Sequence, residues 1–324
     1  MNYKQLTLTK RYHISTLIKE GYNQKIIAKE IGVHPSTICR EFKRFKDSNK
    51  QDYNPNELQI QAKLQHIKKP KRSAFTKSIE RYIRKGIKED WAPVQIAGRM
   101  KLDINKSISH ETIYKYIYNN KANGGLLYTH LRHRNKKYHN RLNKYKKRSI
   151  IPNRVSIHKR AKIVDKKSRI GDWEIDTIIG KDHKGAILTI VDKASKFLLI
   201  KNIGSKHADV TAQATIDLLH PLKDITHTVT ADNGTEFTYH EKVSLALDLK
   251  YYFCDPYSSW QRGLNEHTNG LIRQYIPKKS SFENISQEEI VIIANKLNHR
   301  PRKSLGFKTP FEVFMKAFSK KMVA

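Results

Sequence analysis

Between Trp173 and Leu297, short β-branched runs alternate with longer amphipathic runs in one order. Trp173 to Ile179, Ala186 to Asp192 and Lys196 to Ile203 are rich in Ile, Val, Leu and Thr, and short turns at Gly180 to Gly185 and Lys193 to Ser195 separate them. These features predict three strands in succession. A helix is predicted over His207 to Leu219, a strand over Thr226 to Ala231, a helix over Glu241 to Leu247 and a strand over Lys250 to Cys254. Two more helices follow, at Leu264 to Ile276 and Gln287 to Leu297. Strands joined by short turns pair antiparallel, whereas strands reached through a helix add in parallel. The order therefore predicts an α/β fold with a mixed five-stranded sheet covered by helices.

The first half reads differently. From Leu6 to Phe45, Gly21 closes a first helix, Asn23 caps a second carrying Ile26, Ile27 and Ile31, and Gly32 turns the chain. Pro35 then opens a third helix, where its missing N–H costs nothing. Ile38 and Phe42 point inward on it, and Arg40, Lys43 and Arg44 outward. This is the helix-turn-helix pattern, in which the last helix enters the major groove. Ser36, Thr37, Arg40, Lys43 and Arg44 are the candidate DNA contacts, and a small three-helix bundle with no nucleic-acid role is the bland alternative. A second segment, Glu89 to Tyr118, packs Trp91, Ile96, Ala97 and Met100 on one helix. Ser109 caps the next, with Ile113, Tyr116 and Ile117 inward and Tyr114 and Lys115 outward. Pattern alone supports a second DNA-binding unit, with Lys115 as a contact, no better than an interdomain helical pair.

Charge narrows the partners. Lys and Arg number 63 against 30 Asp and Glu, a formal net charge of +33. Such an excess favours a polyanion. No apolar run approaches the roughly 18–20 residues needed to span a bilayer, and Met1 to Arg11 lacks the apolar core of a signal peptide. DNA remains the expected partner, with no membrane and no small-molecule substrate. The two cysteines, Cys39 and Cys254, form no Cys-x-x-Cys pair. They read as ordinary thiols of a reducing cytoplasm. Between Glu111 and Asp165 there is no acidic residue, and Arg132 to Arg148 reads RHRNKKYHNRLNKYKKR. This block is a solvated linker, a DNA-tracking arm, or both. Lys136, Lys137 and Arg141 are its candidate phosphate contacts. The expected organisation is a helix-turn-helix domain over 1–50, a second helical DNA-binding domain over 51–130, a basic linker over 131–165 and a catalytic domain over 166–324.

Scarce acidic residues make their positions informative. Asp176 lies in a strand, Asp232 where a strand ends, and Glu266 on a helix after another strand. Three carboxylates so placed can converge into a hard oxygen site for Mg²⁺ or Mn²⁺. Taken singly, each reads as well as a surface or turn residue. Asp172, Glu174, Asp192 and Asp255 are rivals, and Asp172, Glu174 and Asp176 share one strand face by alternation.

Three segments around these residues carry a resemblance. They are Trp173-Glu174-x-Asp176, the run from Thr230 through Asp232-Asn233-Gly234 to Glu236-Phe237, and the run from Pro256-Tyr257 through Glu266 to Arg273. There are 33 residues between Asp232 and Glu266. The chain resembles the DDE transposases of the bacterial insertion sequence 30 family over nearly its whole length, including the ending LNHRPRKSLGFKTPFEVF. Ile175 stands where that family commonly has glycine. The resemblance implies a ribonuclease-H-like, retroviral-integrase-like catalytic domain behind helix-turn-helix domains. It selects Asp176, Asp232 and Glu266 as catalytic residues and ligands of two Mg²⁺ ions, with Mn²⁺ as substitute. It makes Arg273, two turns beyond Glu266, a DNA contact. It also implies recognition of terminal inverted repeats, nicking and 3′-hydroxyl transfer, at least a dimer on DNA, and a cytoplasmic, nucleoid-associated location. A helix-turn-helix regulator without catalysis, a ribonuclease H and a silent relic are the rival readings.

Overall fold

The computed structural model describes residues 5–46, 52–68, 75–132 and 151–323, apart from Tyr257, Lys279 and Asn284. It divides into two compact units, Met1–Ala74 and Phe75–Ala324.

In the first unit, α1 (Leu8–Lys19) starts at Thr7, whose hydroxyl accepts from the Lys10 amide. α2 (Gln24–Ile31) starts at Asn23, whose side chain accepts from Lys25 and Ile26, and it ends at Gly32 with φ 66°. A left-handed residue there favours glycine, and it turns the chain into α3 (Pro35–Lys46). Ile14, Ile27 and Ile38 meet in the core, but Ile26 lies on the outer face. α4 (Pro55–Lys68) adds Leu58 to the same core and packs on α1, so this unit continues past the three-helix motif. Beneath α3, the Arg11 Nε donates to Glu41 at 2.6 Å, and Arg44 closes on the same carboxylate.

The second unit opens with α5 (Lys77–Lys88), α6 (Pro93–Ile104) and α7 (His110–Ala122), which share a core of Ile83, Ile87, Ile96, Met100, Ile113 and Ile117. Ser109 caps α7, accepting from the Thr112 amide. After the short α8 (Lys162–Lys166) come β1 (Asp172–Ile179), β2 (Ala186–Asp192) and β3 (Leu198–Asn202). Then follow α9 (Ala208–Leu219), β4 (Thr228–Ala231), α10 (His240–Leu247) and β5 (Lys250–Phe253). The chain ends with α11 (Gly263–Tyr275), α12 (Gln287–Asn298) and α13 (Pro310–Val323).

The sheet runs β3-β2-β1-β4-β5. β1, β2 and β3 pair antiparallel, and β4 and β5 add in parallel, as the connection lengths require. Alternation along β1 sends Trp173 and Ile175 into the core shared with α9 and α10, and Ile178 into the core shared with α11 and α12. Glu174 and Asp176 therefore point to the α11 side. β2 is buried along its whole length, which explains its uninterrupted apolar run. No described helix is long and apolar enough to cross a membrane.

Candidate active site

Strand register brings the first two carboxylates together. β1 and β4 run parallel with Asp172 beside Thr228 and Glu174 beside Thr230. Two residues further along both strands, Asp176 comes beside Asp232, just past the last residue of β4. Two adjacent carboxylates repel each other, and the structure answers with a cation. Arg262, at the start of α11, reaches Asp176 at 3.3 Å with one nitrogen and Asp232 at 2.7 Å with the other. Its first nitrogen also donates to the Ile175 carbonyl at 3.1 Å. Asp176 further accepts from the Thr177 amide at 3.0 Å and from the Asn269 side-chain amide at 2.8 Å. Asn269 is held in turn by the Thr189 hydroxyl at 3.1 Å. Asp232 accepts from the Gly234 amide at 3.0 Å, a local turn of the Asp-Asn-Gly type. Burial pushes the Asp176 carboxyl up to about 6, with the nearby Asp232 carboxylate adding to the rise and Arg262 opposing it.

Glu266 lies in the first turn of α11 and is exposed. Asn269, three residues on along the same helix, contacts Asp176. The structure does not bring Glu266 into contact with Asp176 and Asp232: among the described residues, no three carboxylate, imidazole or thiol groups stand close enough to hold an ion. The rival carboxylates are engaged elsewhere. Asp172 binds Arg169 at 2.9 Å and the Thr228 hydroxyl at 2.8 Å. Glu174 is buried against Lys193 at 2.7 Å and accepts from the Asn265 amide. Asp192 accepts from the amides of Gly171 and Ser195. Asp255 holds His158 and Gln261, each at 2.8 Å. Glu236 accepts from the Thr177 hydroxyl at 2.8 Å. Asp176 and Asp232 are thus left as oxygen donors already gathering one cation, a donor set that fits a hard divalent ion.

The candidate DNA contacts divide in two. Arg40, Lys43 and Lys115 are exposed, and Ser36 and Thr37 half-buried, with the Ser36 hydroxyl 2.9 Å from the His34 ring. Arg44 is drawn to Glu41 and, at 3.2 Å, to Gln65. Arg273 lies over the Phe282 ring and donates to the carbonyls of Ile179 at 2.9 Å and Pro277 at 3.3 Å. Lys136, Lys137 and Arg141 lie outside the described residues. Arg262 and Asn269 were not singled out from the sequence. Their spacing, four before and three after Glu266, was the available signal.

A mixed sheet in this strand order, with one aspartate on its central strand and another just past the end of the neighbouring parallel strand, is a ribonuclease-H-like fold; here helices precede it. A helix-turn-helix domain family matches residues 2–44. Over 321 residues the chain is 44% identical to the transposase for insertion sequence element IS4351 of Bacteroides fragilis, covering 99% of this chain and 98% of that one. It is 33% identical to the transposase InsI for insertion sequence element IS30A of Escherichia coli, over 95% of this chain and 82% of that one. It is 34% identical to the transposase for insertion sequence element IS1086 of Cupriavidus metallidurans, over 96% and 94% of the two chains. The chain belongs to the insertion sequence 30 family of transposases.

Proposed function

We propose that this transposase nicks DNA at the terminal inverted repeats of an insertion sequence and joins the freed 3′-hydroxyl to target DNA, using Asp176, Asp232 and Glu266. The observation that carries this reading is the register that sets Asp176 beside Asp232 around a shared cation. Asp176 and Asp232, with Glu266 from α11, would hold Mg²⁺ or Mn²⁺, two ions per site. Bound divalent ions supply Lewis acidity to the phosphate and lower the pKa of the attacking water or hydroxyl. The chain's own residues supply position. Asn269 fixes the rotamer of Asp176, and Arg262 offsets the repulsion of the pair.

The first unit, which α4 carries past the expected boundary at residue 50, would read the terminal repeats, and the helices α5 to α7 would add a second DNA-binding domain. Of the expected linker over 131–165, Ile151 and the stretch around Val155 and Arg160 pack on the sheet and so belong with the catalytic domain that would cut. Synapsis of two ends calls for at least a dimer on DNA, and the substrate places the work on the nucleoid in the cytoplasm. Asp176→Asn, Asp232→Asn and Glu266→Gln should each abolish cleavage of a labelled end while leaving end binding within about twofold, since uniform phosphate contacts stay in place. Wild-type cleavage by any one of them removes that residue from the set.

A further inference from the structure

Along α11, residues four apart form one stripe: Glu266, Gly270 and Gln274. Beyond Glu266, arginines meet the stripe at Gly270 and Gln274. A Cβ on Gly270 would come within 2.8 Å of the Arg132 guanidinium, so that group lies against the helix at this residue. At Gln274, the side-chain oxygen accepts from Arg300 at 3.2 Å, and the side-chain nitrogen donates to the His130 carbonyl at 3.4 Å. Arg300 is 3% exposed and also donates to Gln95 on α6 at 2.9 Å. Arg302 donates to the Leu297 carbonyl at 3.2 Å, and its buried Nε has no acceptor.

Among the described residues no carboxylate forms an ion pair with these arginines; Asp90, whose charge acts on Arg300, is held by His130 at 2.8 Å and Lys296 at 3.6 Å. Burial first, then the charge of Arg300, with Arg132 adding to it, brings the Arg302 guanidinium down to about 10. Gathered arginines, one with a buried donor unmet, favour an anion, and the guanidinium fork matches phosphate oxygens two at a time. Arg132 is exposed and is the first residue of the basic run Arg132 to Arg148.

We infer that Arg132, Arg300 and Arg302 form a site for one backbone phosphate of the DNA, next to the carboxylates. The inference rests on the proposed action at a DNA end. At about 1.5 Å rise per residue, Gly270 and Gln274 lie about 6 and 12 Å beyond Glu266. At about 3.4 Å per nucleotide, the phosphate is two to four nucleotides from the cut.

The test uses the full chain and duplex ends carrying a single neutral methylphosphonate at each position within about four nucleotides of the cut. Wild-type protein should lose affinity at one position. Arg132→Gln and Arg302→Gln should bind the unmodified end more weakly, with a salt slope smaller by about 1, and should lose nothing further at that position. Variants that respond to every methylphosphonate as wild type does overturn the site. Should Arg302→Gln melt early, the exposed Arg132→Gln decides alone. Inorganic sulfate at fixed ionic strength should compete for wild type more than for Arg132→Gln, and equal competition also counts against the site. Wild-type protein that binds no duplex end fails the proposed function itself, an outcome distinct from binding without a sensitive phosphate.

Discussion

At the residue scale, Arg262 resolves an electrostatic conflict that the register creates. Asp176 and Asp232 are 23% and 41% exposed, and Arg262 is 12% exposed between them. Water screens the pair in part, so the loss of the guanidinium should cost less than breaking a fully buried ion pair. Arg262→Gln should lower the metal-free stability by about 1–2 kcal/mol, and Mg²⁺ should raise the melting temperature more in the variant than in wild type. Chemical denaturation and melting curves with and without the ion measure both effects. An unchanged metal-free stability would mean that the arginine only decorates the loop. Asp172 and Glu174, which share a strand face with Asp176, stand in a different setting. Each is almost fully buried and already satisfied by its own cation.

At the element scale, α13 ties the helical part of the second unit to the sheet. Its first turn is a reciprocal cap: the Glu312 amide donates to the Thr309 hydroxyl, and the Thr309 amide to the Glu312 carboxylate. Arg99 on α6 donates to both oxygens of Glu312, at 2.6 and 2.7 Å, and Phe314 packs into the sheet core against Phe197. The hydrogen bond from Arg99 is the main reason the Glu312 carboxyl falls to about 2 from its ordinary 4.5. A depressed acid stabilises the folded state above its unfolded pKa, and that contribution fades as pH drops through the folded value. The stability gap between wild type and Glu312→Gln should therefore be full near pH 6 and shrink between about 4.5 and about 2. Melting curves across that range read it, and a gap independent of pH would assign the effect to packing.

At the scale of the whole molecule, the first unit sets where a truncation should fall. α4 buries Leu58 against the core of the helix-turn-helix, so cutting after Phe45 would strip an apolar face. Removal of Met1–Ala74 should leave the second unit folded, abolish sequence-specific protection of the terminal repeats, and retain salt-sensitive binding to any duplex. Footprinting with specific and random ends separates the two. Specific protection by the truncated chain would transfer the reading role to α6 and α7.

The sequence by itself determined the order of strands and helices, because period-two and period-3.6 patterns and turn residues act over a few neighbours. It also determined the caps at Asn23 and Ser109 and the turn at Gly32, which are local hydrogen-bond and backbone-angle effects. Family motifs picked Asp176, Asp232 and Glu266 out of a set that pattern alone left open. Tertiary structure decided which partners each carboxylate has. Asp172, Glu174, Asp192 and Asp255 differ from Asp176 in their partners, and partners such as Lys193 or His158 come from other elements. It also decided that Arg273 lies over Phe282 and that Arg132 meets α11, since both depend on where distant segments pack. Charge balance around a buried group is summed in three dimensions, and no spacing along the chain encodes it.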